Sequence, residues 1–214
     1  GLSFRKDGNI IHNPDRPFIE NLDELPFVNP IYKRDLPMKV YRIHELRHPF
    51  TTIFSSRGCR FGCRYYCRWP AVFDGSRFRA RSPLNVYEEV RWVKENMPDT
   101  KEILFDEGTF TTIPKRVEEI CSLIKPLDVT WSCNARAEVP FETLRKMKEA
   151  GCRLVIVGFE SANPEILKTI RKGVTLERME RFVNDCQKVG ILVHGTFMIG
   201  LPGETKETIE NSFK

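Results

Sequence analysis

The chain has 214 residues, 41% of them hydrophobic and 29% charged, with a formal net charge of +5. That composition excludes a disordered polypeptide, and the charge is too small for a general polyanion binder. No run approaches the roughly 18–20 apolar residues of a membrane span, GLSFRKDGNI lacks the apolar stretch of a signal peptide, and the seven clustered cysteines suit reduced thiols and metal ligation, so a cytoplasmic protein is expected.

GLSF and IIH flank a DGN turn and predict a short hairpin. The stretch that follows is rich in proline and turn signals (NPDRP, DELPFVNP, DLP) and has no sustained helical period, so residues 1–49 read as a linker or edge segment of a longer protein. From position 50 onward, apolar runs alternate with helical periods, the pattern of consecutive βα units on a parallel sheet. Strands are expected at 51–56, 102–106, 129–134, 152–160 and 191–200. Ser82 and Pro83 supply an N-cap and first-turn proline ahead of Val86, Val90, Val93 and Met97, and that helix stops at Pro98. Leu144 and Met147 before Gly151, and Leu176, Met179, Val183 and Cys186 before Gly190, mark two more helices. All these stripes read as core. The sequence stops inside another helical stretch, ETIENSFK. The expected fold is therefore α/β: a partial (β/α) TIM-like barrel, truncated after the fifth strand, over residues 50–214.

In a (β/α) barrel the chemistry lies where strands end and loops begin. Here each such point carries reactive or polar residues: Cys59, Cys63 and Cys67 after the first strand, Asp106 and Glu107 after the second, Asn134 and Arg136 after the third, Glu160 and Ser161 after the fourth, and Gly200 to Glu204 after the fifth. The cysteines lie in RGCRFGCRYYCRW. Between positions 57 and 81, Arg57, Arg60, Arg64, Arg68, Arg77, Arg79 and Arg81 are opposed only by Asp74. A solvated loop face and a nucleic-acid patch are alternative readings. Cations interleaved with cysteines fit best a loop that stabilises metal-bound thiolates and an anionic ligand beside them. Three thiols are one short of a structural zinc site or a ferredoxin cluster. A 4Fe-4S cluster held by only three leaves one iron open to a substrate or cofactor. Cys121 and Cys186 on helical stripes, Cys133 at a strand end and Cys152 at a strand start read as core. His12, His44 and His48 show no ligand spacing, while His194 in the fifth strand is a candidate for the barrel interior.

The cysteine loop, together with VTWSCNARAE, AGCRLVIVGFESANPEILKTIRKGVT and HGTFMIGLPGET, resembles the radical S-adenosylmethionine (SAM) superfamily, in its cobalamin-dependent branch and most closely the hopanoid-associated members. The common spacing there is C-x3-C-x2-C with an aromatic before the last cysteine. Tyr66 supplies the aromatic, and the second gap is one residue longer, an addition that a bulge between Cys63 and Tyr66 would absorb. IENLDELPF resembles the linker after a cobalamin-binding domain, whose own D-x-H-x-x-G motif is absent from this sequence. The resemblance implies a 4Fe-4S cluster on Cys59, Cys63 and Cys67 whose open iron takes the amino and carboxylate groups of SAM. One electron then splits SAM to methionine and a 5'-deoxyadenosyl radical, or the site supports methyl transfer through cobalamin held by a domain outside this chain.

The same resemblance places Tyr66, Asp106, Glu107, Asn134, Arg136, Glu160, Ser161, Gly200 and Pro202 at the cofactors. Arg136 would fork the SAM carboxylate, or simply pair with Glu138 or Asp106. Asp106 and Glu107 would meet the SAM amino group, in place of acid–base or magnesium roles. Glu160 would accept from ribose hydroxyls, Ser161 would add a polar contact, and the glycines from Gly195 to Gly203 would admit adenine to the backbone, unless LPG is only a turn. Implied partners are a small-molecule or lipid substrate and an electron donor such as flavodoxin or ferredoxin; nucleic acid is disfavoured. Two rival readings stand beside this one: a cobalamin-free, methylthiotransferase-like radical SAM enzyme, and a non-catalytic iron–sulfur or zinc protein that binds nucleic acid. No motif identifies the substrate.

Overall fold

The structure is a computed structural model that describes residues 1–61, 63, 67 and 77–213. Five strands, β3 (Phe50–Ile53), β6 (Glu102–Phe105), β7 (Trp131–Ala135), β8 (Cys152–Glu160) and β9 (Leu192–Phe197), form one sheet in that order, and every pairing is parallel. Helices α2 (Pro83–Asn96), α3 (Pro114–Ile124), α4 (Phe141–Glu149) and α6 (Leu176–Val189) follow successive strands. This is the expected α/β arrangement of a partial barrel.

Alternation along the strands separates two faces. Ile53, Ile103, Phe105, Trp131, Cys133, Val155 and Val157 point to the helical layer and pack with Val86, Val90 and Val93 of α2, Ile120 of α3, Met147 of α4 and Phe182 of α6. Trp131 anchors this layer, with Phe105 and Phe110 at 5.4 and 5.5 Å between ring centroids. Its indole N–H donates to the Ala150 carbonyl at 2.7 Å, so the buried ring keeps its polar atom bonded. The opposite face carries a smaller cluster of Phe50, Leu104 and Leu154 with Leu46.

Ser82 caps α2 by accepting from the Asn85 N–H, and α2 ends at Asn96, as the sequence predicts. Val183 departs from its expected core position. It is 38% exposed and lines an open cleft of about 570 Å³ with Phe159, Met179 and Phe197.

The first 49 residues do more than connect. Strands β1 (Ser3–Lys6) and β2 (Asn9–His12) form the predicted hairpin and are exposed. Beyond them α1 (Asn29–Asp35), too short to show a period, sinks Asn29 into the body. Asn29 accepts from Thr51 Oγ1 and donates to Glu89 of α2 at 3.0 Å. Residues 45–47 close the N-terminal end of the strands. Glu102 is buried there, taking two nitrogens of Arg153 at 2.9–3.1 Å and the Arg47 N–H at 2.8 Å, while Arg153 also donates to the Glu45 carbonyl. The N-terminal segment touches the far side of the cysteine loop as well: Glu20 pairs with Arg77 at 2.7 Å, the Ile19 carbonyl accepts from Arg79, Phe18 lies under the Arg79 guanidinium, and Asp23 accepts from the Ser82 N–H.

Candidate cofactor site at the strand ends

The loop that carries the cysteines leaves the sheet through β4 (Ser56–Arg57) and returns through β5 (Arg79–Ala80), two short antiparallel strands paired Ser56 to Ala80 and Arg57 to Arg79. The expected first strand is therefore shorter than 51–56. Ser55 and Ser56 leave the parallel ladder to begin this stem. Tyr66, Arg64, Arg68 and Asp74, and the bulge expected between Cys63 and Tyr66, lie outside the described residues.

Cys59 and Cys63 are half-buried, Cys67 is exposed, and all three are free thiols. Cys59 sits against the end of β6: a Cβ on Gly108 would lie 3.6 Å from its Cβ. Burial pushes the Cys59 thiol up, the neighbouring Cys63 and Cys67 add to this, and Arg136 opposes it. Among the described residues no three Cys, His, Asp or Glu side chains converge on a metal position. The donor set nonetheless suits an iron–sulfur cluster in kind. The thiols are unpaired and share one loop, Arg136 lies beside two of them, Cys59 and Cys63, and ligation itself deprotonates and gathers such ligands.

Arg136, one residue beyond β7, has its Nη1 4.0 Å from Cys63 Sγ, and its guanidinium lies 4.1 Å over the Phe61 ring. Its Nε donates to Glu138 at 2.6 Å and its Nη2 to the Lys172 carbonyl at 2.7 Å. Of the two partners open to it in the sequence, the observed one is Glu138. Lys172 in turn pairs with Glu160 at 2.8 Å, so Cys63, Arg136, Lys172 and Glu160 form one contiguous row across the ends of β7 and β8. Glu160 is buried and holds a left-handed φ of +70°, a conformation that side-chain residues adopt where surrounding contacts impose it.

The other candidates divide. Asn134 donates to the Glu107 carbonyl at 3.0 Å, tying the ends of β6 and β7. Asp106 follows β6, its N–H donating to the Ile53 carbonyl. Glu107 is buried with its carboxylate turned toward the loop stem, where it takes the Ser55 N–H at 2.5 Å, the Ser55 hydroxyl at 2.7 Å and the Ser56 N–H at 3.1 Å. Its side chain thus serves protein donors rather than the mouth. Ser161 is fully buried and accepts the Asn163 N–H at 3.1 Å, a local turn ahead of the next helix. Gly200 and Gly203 have φ of +94° and +88°, the backbone freedom for which glycine is suited, and the Gly200 and Leu201 N–H groups both donate to Glu204. Pro202 is exposed in that turn. His194 lies within 3.9 Å of Glu45, on the strand face opposite the helices.

Lys172, in the row, and Arg116, which donates to the Ser55 carbonyl of the loop stem, were not expected there. Lys172 sits within a quoted motif, but long basic side chains after a helix ordinarily read as solvated.

The strand-end row coincides with a family match: residues 53–214 match the model of the Radical SAM superfamily. The chain belongs to the radical SAM superfamily. A radical SAM domain is an enzyme domain, and the superfamily's cofactors are a 4Fe-4S cluster and SAM. The uncharacterized methyltransferase PH0819 of Pyrococcus horikoshii is 38% identical over the whole of this chain, which spans 46% of that relative. Among solved structures, the radical SAM methyltransferase TsrM of Kitasatospora setae has a TM-score of 0.69 at 24% identity, covering 77% of this chain and 33% of its own. The cobalamin-dependent SAM radical enzyme OxsB has a TM-score of 0.75 at 18% identity, covering 98% of this chain and 31% of its own. At those identities the two structures establish the fold. The hopanoid resemblance rests on the quoted motifs alone. Among the described residues, no helix is long and apolar enough to cross a membrane.

Proposed function

We propose that this chain is the core of a cobalamin-dependent radical SAM enzyme of the methyltransferase kind, with Cys59, Cys63 and Cys67 as the cluster ligands and Arg136 and Glu160 at the SAM site. The observation that carries the proposal is the contiguous row from Cys63 through Arg136 and Lys172 to Glu160, which spans the ends of two adjacent parallel strands. The chemistry supplied by the bound cofactors is one-electron cleavage of SAM, or methyl transfer through cobalamin.

The chain's own part is positional. Arg136 places a fixed cation beside a cluster sulfur and an anionic ligand. Glu160, held by Lys172, brings a carboxylate to the end of β8. Residues 1–49 read as the segment after a cobalamin-binding domain, supported by the motif IENLDELPF and by the cobalamin bound in TsrM and the cobalamin dependence of OxsB. A small-molecule or lipid substrate and a flavodoxin- or ferredoxin-type donor complete this reading, in the cytoplasm.

The deciding experiment is anaerobic reconstitution followed by SAM and dithionite. About four irons and four sulfides per chain, with 5'-deoxyadenosine or S-adenosylhomocysteine formed, support the proposal; a chain that takes up zinc without iron or sulfide overturns it. Binding of hydroxocobalamin by the intact protein tests the cobalamin part separately.

A further inference from the structure

Ser55, four residues before Cys59, has all its polar atoms held. Its N–H and hydroxyl donate to Glu107. Its carbonyl accepts from the Arg81 N–H at 2.9 Å and from Arg116 Nη2 at 2.8 Å. Arg116 Nε donates to the Arg81 carbonyl at 2.9 Å, so a single guanidinium on α3 ties the outgoing arm of the cysteine loop to its returning arm. Arg81 is fixed by the buried Glu89 of α2 and by the Phe54 carbonyl. We infer that Glu107 and Arg116 are positioning residues for the cluster: a buried clamp on the loop stem that sets where Cys59 enters the mouth.

The energetics favour positioning over simple stability. Glu107, Arg116, Arg81 and Glu89 are all at most 9% exposed, and desolvating such groups costs about as much as their pairing returns. Apolar side chains of the same volume would hold the helices to the sheet equally well. A fully satisfied polar network instead fixes backbone geometry. The stem needs fixing from outside, because two-residue strands are not stable alone. Useful cofactor geometry tolerates displacements of only about 0.5 Å.

This inference rests on the cluster reading above, and its test separates the two. Glu107→Gln keeps the volume but replaces one of the two oxygens that accept from Ser55 and Ser56 by an NH2 donor, and Ser55→Ala removes only the hydroxyl. Both are compared with wild type in the intact protein by hydrogen exchange before cluster loading, then by iron content and by the electron paramagnetic resonance spectrum of the reduced cluster with and without SAM. In the cluster-free Glu107→Gln protein, exchange at Ser55 and Ser56 should rise by at least about tenfold while β7 and β8 keep their protection. After loading, its iron content should fall or its SAM-induced spectral change should differ, with Ser55→Ala intermediate. Faster exchange throughout the sheet would make the clamp merely structural and overturn the inference. So would variants that match wild type in iron and spectrum. A wild-type protein that takes up no iron overturns the cluster reading itself.

Discussion

Gly158 leaves the space in which Glu160 and Lys172 meet. A Cβ there would lie 2.3 Å from Glu160 Oε1 and 3.1 Å from Lys172 Nζ. No unusual φ is needed at Gly158, so Gly158→Ala should displace the carboxylate and leave the chain in place. The expected outcome is SAM binding weakened about tenfold or more, with unchanged iron content and a thermal midpoint within a few degrees of wild type. Calorimetric titration of the loaded protein checks it; unaltered SAM affinity would remove Glu160 from the site. The same scale shows how far the sequence was legible. The strand-end positions of Arg136 and Glu160 were readable in the sequence. Glu107 reads in the sequence as a partner of Asp106 at the cofactor, whereas its carboxylate bonds Ser55 and Ser56 of the loop stem, a contact set by the path the chain takes after β3. Lys172 carried no such signal, since its burial depends on where the chain returns after α5 (Pro164–Thr169).

Strands were more legible than helices. Five apolar runs bounded by turns gave five strands, whereas α3 was glimpsed only through Cys121 and α1 not at all, because seven residues make too few turns for a periodic stripe. The floor of the barrel was invisible in sequence: Glu102 and Arg153 begin separate strands and meet only because β6 and β8 flank β7. Glu102→Ala strands a largely buried guanidinium and should destabilise the protein by about 3 kcal/mol. The double variant Glu102→Leu with Arg153→Leu should recover most of that loss. Urea unfolding of the three proteins decides the matter, and a double variant no more stable than Glu102→Ala would show the pair to be favourable in itself.

At the scale of the whole molecule, the seven cysteines fall into two classes. Cys121, Cys133, Cys152 and Cys186 are buried, while Cys59, Cys63 and Cys67 reach solvent in part or fully. Iodoacetamide should alkylate three thiols of the native cluster-free protein and all seven after denaturation, counted by mass spectrometry. Burial pushes the Cys186 thiol up to about 12 and raises Cys121 and Cys133 as well. A raised thiol stabilises the fold fully below its unfolded pKa of about 8.5, and that contribution is lost as pH climbs toward the folded value. Urea midpoints should therefore fall between pH 8 and pH 11, and Cys186→Ala should lessen the pH-dependent part of the fall.

The family match begins at residue 53, yet the contacts of Glu20 with Arg77, of Ile19 with Arg79 and of Asp23 with Ser82 reach back across that boundary. The Glu20–Arg77 pair is exposed and worth at most about 1 kcal/mol, which makes this grip easy to release. A protease cut or a gene trimmed at the homology boundary would therefore remove contacts made to the returning arm of the cysteine loop, not a free spacer.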